Sequence, residues 1–68
     1  MRITFADWVS VEEIDVVIGI VHEFGEVVHQ DRQLRTATVV PNPDEVDMLK
    51  EFLGVWETDN ALSWTDAD

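Results

Sequence analysis

Two histidines and the carboxylates near them are the residues best suited to chemistry. His22 and Glu26 lie four positions apart, and His29 and Asp31 follow. If one helix carried the first pair, its imidazole and carboxylate could bind a divalent cation. The pair lacks the second histidine of a zinc-protease helix, and a strand after Gly25 would carry His29 elsewhere. The sequence therefore predicts solvent-exposed histidines, with no metal site and no cofactor.

A second acidic group lies near the end of the chain, at Asp59, Asn60, Asp66 and Asp68. A calcium loop needs alternate ligands, a central glycine and a closing glutamate, none of which has the required spacing here. A solvated acidic tail is the prediction for these residues.

Other catalytic patterns are missing from the sequence. The chain has no cysteine, and no Ser/His/Asp set stands out as a nucleophile with its base. The three glycines, at positions 19, 25 and 54, are too scattered for a phosphate-binding loop. We therefore expect a protein that is not an enzyme.

Acidity is the dominant feature of the composition. The formal net charge is −11, from 15 acidic residues against one lysine and three arginines. The halves 1–34 and 35–68 are almost equally acidic, with net charges of −5 and −6. Such a field repels nucleic acids and anionic membranes and attracts basic protein surfaces. Because 46% of the residues are apolar, a folded chain is expected rather than a disordered one.

The length of 68 residues predicts one small domain spanning 1–68. The absence of cysteine is compatible with a reducing compartment. No apolar run reaches the roughly 18 residues of a membrane span, and the first residues lack a signal-peptide pattern. We expect a soluble protein of the cytoplasm, which would be the host cytoplasm if the chain is viral.

An amphipathic stretch from Ser10 to Phe24 predicts the first helix. Ser10 and Glu13 have the spacing of a capping box, and Gly25 follows where helices commonly end in a left-handed residue. The helix could continue past this glycine, but a strand is favoured there. The predicted apolar side comprises Val11, Ile14, Val17, Ile18, Val21, Phe24 and Val28.

A second helix is predicted after Asn42 and Pro43. Asparagine is a favoured N-cap, and proline fits the first helical position, where its missing amide costs nothing. The helix is expected to end at about Trp56. Its predicted buried face comprises Val46, Leu49, Phe52, Leu53 and Trp56.

Alternating β-branched segments predict strands at Arg2–Phe5, after Gly25 and at Leu34–Val40. Ala61–Trp64 is a candidate fourth strand, and residues 65–68 are expected to fray. The element order predicts an α+β fold, a small ferredoxin-like split βαβ sandwich. The element order would be βαββα, followed by a possible fourth strand. Both helices would lie on one face of an antiparallel sheet.

The outward acids of the two helices form the predicted partner-binding site. Carboxylates three or four residues apart on a helix are roughly 5–6 Å from one another, comparable to the phosphate spacing of a nucleic-acid strand. A solvated helix back is the alternative, but an ordinary surface interleaves lysines, and this chain has only Lys50. The predicted site residues are Glu12, Asp15, Glu23, Glu26, Asp44, Asp47 and Glu51.

Each helix also has apolar residues outside its main core side. They are Val16 and Ile20 on the first helix, and Met48 and Val55 on the second. Two interpretations stay open, an ordinary core margin and a patch where a partner or a second copy docks. A homodimer is therefore an alternative to a monomer.

Arg32 and Arg35 form the one basic island. They are too few to bind nucleic acid against this net charge, and we expect them to pair with neighbouring acids.

These features favour a small inhibitor that binds a basic nucleic-acid-binding surface of another protein. Phage-encoded antagonists of host defence complexes, anti-CRISPR proteins among them, are often small and acidic in this way, an analogy of size and charge alone. One alternative is a halophilic domain, whose acids would serve salt adaptation and which would need molar salt to fold. Another is an antitoxin that neutralises a basic toxin.

Overall fold

The computed structural model describes residues 1–66 of the chain. The elements are β1 (Arg2–Phe5), α1 (Val11–Phe24), β2 (Gly25–Asp31), β3 (Thr36–Pro41), a 3₁₀-turn (Pro43–Glu45), α2 (Val46–Thr58) and β4 (Leu62–Thr65). The candidate fourth strand is thus confirmed as β4. Of the segment predicted to fray, Thr65 closes β4, and residues 67 and 68 lie outside the described residues.

The four strands form one antiparallel sheet in the order β2-β3-β1-β4. In the centre, Arg2 of β1 lies opposite Thr38 of β3 on one side and opposite Thr65 of β4 on the other. Because β1 and β2 are both antiparallel to β3, they run in the same direction with β3 between them. A small α+β domain with two helices and an antiparallel sheet is confirmed.

The core lies between one face of this sheet and the two helices. Strand β1 alternates strictly, with Ile3 and Phe5 buried and Arg2 and Thr4 exposed. Both helices contribute to the cluster that contains Ile3 and Phe5, so both cover the same face of the sheet. The core comprises Ile3, Phe5, Val9, Ile14, Val17, Ile18, Val21, Ala37, Val39, Leu49, Leu53, Ala61 and Leu62.

Helix α1 begins where the capping pattern places it. The Ser10 hydroxyl oxygen accepts a hydrogen bond from the Glu13 amide at 3.2 Å. The Glu13 carboxylate accepts from the Ser10 hydroxyl at 3.3 Å, instead of reaching the Ser10 amide as in a full capping box. Four residues of the predicted apolar side are buried, Ile14, Val17, Ile18 and Val21. Val11 and Val28 are half-exposed, because they lie at the margin of the helix and in β2.

The end of α1 differs from the prediction. Gly25 has φ of −179° and begins β2, so the expected left-handed cap is wrong. A Cβ at this position would lie 2.6 Å from the Val40 carbonyl oxygen and 2.7 Å from the Pro41 Cα. Glycine is required here because the backbone of β3 passes too close for a side chain.

Strand β3 starts two residues later than predicted. The Asp31 carboxylate accepts hydrogen bonds from the amides of Gln33 (2.9 Å) and Leu34 (3.0 Å) and closes a turn before the strand. Arg35 follows with φ of 56°, in the left-handed region. Leu34 and Arg35 therefore belong to the hairpin turn and not to the strand.

The two arginines of this hairpin have different partners. Arg32 lies 3.8 Å from a carboxylate oxygen of Asp15, as expected for an arginine that pairs with a neighbouring acid. Arg35 instead donates through Nη1 to the carbonyl oxygens of Val9 at 2.6 Å and Ala6 at 3.3 Å. The expectation for Arg35 is wrong, because its side chain ties the hairpin to the loop between β1 and α1.

The second helix is preceded by the 3₁₀-turn. Asn42 is the N-cap of this turn and Pro43 occupies its first position, but the Asn42 amide group donates to the Glu45 carboxylate at 2.9 Å. Helix α2 then runs to Thr58, two residues beyond the prediction. Of its predicted buried face, Leu49 and Leu53 are fully buried, while the other three residues are half-buried.

Candidate functional site

The acidic residues are concentrated on the helical side of the molecule. Nine of the 15 lie in α1, the 3₁₀-turn and α2, and most of them are exposed. We call the solvent-facing side of these three segments the helical face. Its acids are Glu12, Glu13, Asp15, Glu23, Asp44, Glu45, Asp47, Glu51 and Glu57.

Six of the seven predicted site residues lie on the helical face and are exposed. They are Glu12, Asp15 and Glu23 on α1, Asp44 in the turn, and Asp47 and Glu51 on α2. The prediction that the seventh, Glu26, belongs to the outward acids of the first helix is wrong. Glu26 is in β2 opposite Val40, on the side of the sheet away from the helices, because Gly25 ends the helix before it.

The corner where α1 ends and the second helical segment begins brings three of these acids to one end of the molecule. The backbone N–H of Asn42 donates to the Phe24 carbonyl oxygen at 2.8 Å, and this hydrogen bond joins the two segments. Glu23 precedes Phe24, and Asp44 and Asp47 follow Asn42 within about one and a half turns. The corner is therefore dense in negative charge.

Asp15 lies on the opposite flank of α1. Its carboxylate points to Arg32 of the β2–β3 hairpin, at 3.8 Å, and both side chains are more than half exposed. Such a surface ion pair stabilises the fold by less than about 1 kcal/mol. Among residues 1–66, Asp15 is thus the one predicted site residue on the helical face whose charge is partly matched by a base.

The single lysine does not neutralise the helical face. Lys50 extends over the ring of Trp64 in β4, with Nζ 5.5 Å from the ring centroid, and lies 3.6 Å from a carboxylate oxygen of Asp66. Its ammonium group is therefore directed to the β4 edge of the sheet.

Helix stability explains some of the acids and not others. Glu12, Glu13 and Asp47 lie in first turns, where the helix dipole favours negative charge. Glu23 and Glu57 lie in last turns, where a carboxylate is unfavourable by about 0.3–1 kcal/mol. The site prediction leaves out three acids of the helical face, Glu13, Glu45 and Glu57, although each lies in or next to a predicted helix.

The other side of the sheet, which the helices leave uncovered, has a different surface. We call it the open sheet face. Strand register places on it Arg2, Thr4, Glu26, His29, Asp31, Thr36, Thr38, Val40, Ser63 and Thr65. It carries two acids, one arginine and five hydroxyl side chains, so negative charge is much sparser here than on the helical face.

The two histidines lie in different elements, and Asp68 of the C-terminal acidic group lies outside the described residues. His22 is exposed in the last turn of α1, and His29 is exposed on the open sheet face opposite Thr38. Within residues 1–66, no three His, Asp or Glu side chains are grouped so as to hold a metal ion. A cleft between α1 and the β2–β3 hairpin, which Asp15 and Arg32 help to line, has a volume of about 40 Å³, room for a few waters rather than a metabolite.

No family model, curated protein or solved structure matches this chain. In the part of the chain that the structure describes, no helix has both the length and the apolar character to cross a membrane. The functional argument is therefore made from surface charge and surface apolarity.

The apolar residues outside the core are largely accessible to solvent. Val16 is 58% exposed, Met48 55% and Val55 65%, while Ile20 is half-buried. A core margin would be mostly covered, so the core-margin interpretation fits Ile20 and not the other three.

Proposed function

We propose that the protein binds a basic, nucleic-acid-binding surface of another protein through its helical face and acts as an inhibitor of the DNA- or RNA-mimic type. The segregation of the acids carries this proposal. Nine acids occupy the helical face and two occupy the open sheet face, although both are exposed to the same solvent. An anti-defence protein of a phage, acting in the host cytoplasm, is the biological setting that fits such a mimic.

The local geometry supports a mimic. Exposed carboxylates one helical turn apart, such as Asp47 and Glu51, present charges roughly 5–6 Å from one another. Lys50 is directed to Trp64 and leaves this array without an internal counter-ion on α2. An acidic array of this kind attracts arginine and lysine side chains and gives fast, salt-sensitive association.

Salt adaptation is the competing explanation of the charge. An acidic surface that serves solvation is expected wherever the protein meets solvent, yet the open sheet face is rich in threonine and serine instead. The acids in the last turns, Glu23 and Glu57, also lower helix stability, and within residues 1–66 their side chains form no ion pair or hydrogen bond in return. Both observations favour a binding role.

An antitoxin would use the same charge against a different partner.

We also infer that the fold is a ferredoxin-like split βαβ sandwich. In support, β1 and β2 run in the same direction on either side of β3, and β3 and β4 do so on either side of β1. Each pair is joined through one helix.

Folding at low salt is the first test of the proposal. Circular dichroism should show cooperative unfolding at about 0.1 M salt, where surface charges are screened only beyond roughly 10 Å. A chain that folds only in molar salt would support the halophilic explanation and contradict the inhibitor.

Charge reversal on the helical face is the second test. The probe is a set of nucleic-acid-binding proteins purified on heparin, and the readout is competition with labelled duplex DNA. Wild type should displace the DNA from a subset of them, and D44K/D47K/E51K should not. The matched control is D7K/E26K/D59K, which changes the net charge equally at exposed sites off the helical face. Equal loss in both variants, or binding that survives the first, would overturn the proposal.

A further inference from the structure

The exposed apolar residues of the two helices face one another across the helical face. On α1, the flank that carries Asp15 points to the β2–β3 hairpin, through the contact with Arg32. On α2, the flank that carries Lys50 points to β4, through the contact with Trp64. The remaining flanks of the two adjacent helices therefore face each other.

Helical periodicity places four apolar side chains on those facing flanks. At 100° per residue, Val16 and Ile20 lie on the flank of α1 away from Asp15, and Met48 and Val55 lie on the flank of α2 away from Lys50. We call this set the seam. Because the end of α1 meets the start of the second helical segment, Ile20 and Met48 lie toward that shared end, and Val16 and Val55 lie farther from it.

Carboxylates border the seam on both sides. Glu12 and Glu23 lie beside it on α1, and Asp47 and Glu51 lie beside it on α2. An apolar strip between two acidic rows complements a helix that has an apolar stripe between basic rows. A second copy of this chain would instead bring acid against acid at a net charge of −11 per chain.

We propose that the seam binds an amphipathic helix of the target, with apolar side chains between Val16 and Val55 and with lysines or arginines against the bordering acids. This inference rests on the proposed function, because it names the element of the basic target that is recognised. Helix α1 has 14 residues and is about 21 Å long, so a helix of about 14 residues would cover the seam.

Synthetic peptides test the seam without the target. The probe is a helical peptide of about 14 residues with a leucine stripe between lysine rows. The control is a scrambled peptide of the same composition. Titration calorimetry should show that the striped peptide binds at least about tenfold more tightly than the scrambled one. Equal affinities would mean that charge alone is recognised and would overturn the inference.

Variants of the protein locate the binding site. V16S/V55S removes apolar surface that is mostly exposed in the free protein, and it should lower the affinity for the striped peptide by about tenfold or more. The matched control is V28S/V40S, at 51% and 56% exposure in the sheet, which should leave the affinity unchanged. A loss of the same size in the control would place the peptide elsewhere and contradict the seam.

The oligomeric state distinguishes a target helix on the seam from a second copy of this chain. Sedimentation should give a monomer at low and at molar salt, and a dimer that V16S/V55S abolishes would overturn the inference in favour of a second copy. If the protein fails to compete with DNA but still binds the striped peptide, the nucleic-acid mimic is refuted and the seam stands. If the protein competes with DNA but does not prefer the striped peptide, the seam is refuted and the mimic stands.

Discussion

The helical face and the open sheet face differ in charge although they belong to one small domain in one solvent. The first carries nine acids, and the second carries two among threonines and a serine. The two halves of the sequence are nevertheless almost equally acidic. Each half of the chain contains one helix and two strands, so the segregation of charge emerges only when the elements fold into two layers.

Part of this difference has a structural cause. Threonine is β-branched and suits a strand, whereas aspartate and glutamate are disfavoured there. The first-turn acids of the helices are likewise favoured by the helix dipole. The last-turn acids Glu23 and Glu57 have no such cause, and they mark where the helical face departs from what the fold alone requires.

A cavity in the core between the two faces should have the largest effect on the free energy of unfolding. Leu53 is fully buried between α2 and the sheet, and L53A should lower the free energy of unfolding by about 2–5 kcal/mol, because it leaves a cavity. Denaturant titration measures the change. The control V55A, on the same helix but 65% exposed, should stay within about 0.5 kcal/mol of wild type. Similar values for both variants would contradict a core at Leu53.

Disturbing the junction between the faces should have the next largest effect. Gly25 joins α1 to β2, and G25A should lower the free energy of unfolding by about 1–3 kcal/mol, because the new methyl group would overlap Val40 and Pro41 of β3. Thermal unfolding of G25A and G54A checks this. Because a Cβ at Gly54 meets no neighbour, G54A should instead stabilise the protein by about 0.5–1 kcal/mol. A neutral G25A would show that β3 does not approach so closely.

Neutralising the last-turn acids should have the smallest effect and the opposite sign. E23Q and E57Q should each stabilise the protein by about 0.3–1 kcal/mol at low salt, because each removes a negative charge from the negative end of a helix. The gain should shrink in molar salt. E26Q on the open sheet face provides the comparison, with an expected change below that of either helix variant. A larger gain at Glu26 would contradict the assignment of the repulsion to the helical face.

Local signals in the sequence predicted the helices and the sheet well. The Ser10 cap and the Asn42-Pro43 pair mark real beginnings, and 3.6-residue periodicity identified Leu49 and Leu53 as buried. Each of these signals depends on residues within a few positions of one another, which is why a single sequence contains them.

The errors arose where distant segments decide the structure. Gly25 has the sequence signature of a helix cap, but the approach of β3 makes it the first residue of a strand and moves Glu26 to the open sheet face. Alternation over Leu34–Val40 suggested one strand, yet Arg35 takes a positive φ and bonds to a loop far back in the chain. Likewise, the sequence named the seam residues, but only the packing of the helices shows that they face each other.

The hydrogen bonds of Arg35 have a consequence for the order of folding. They join the hairpin to carbonyl groups 26 and 29 residues earlier, in the loop that leads into α1. A chain that emerges from the ribosome N-terminus first exposes α1 before Arg35, which secures its entry loop, has emerged. The final alignment of α1 therefore waits for the hairpin, and until then the acids of α1 are presented in an unsecured geometry.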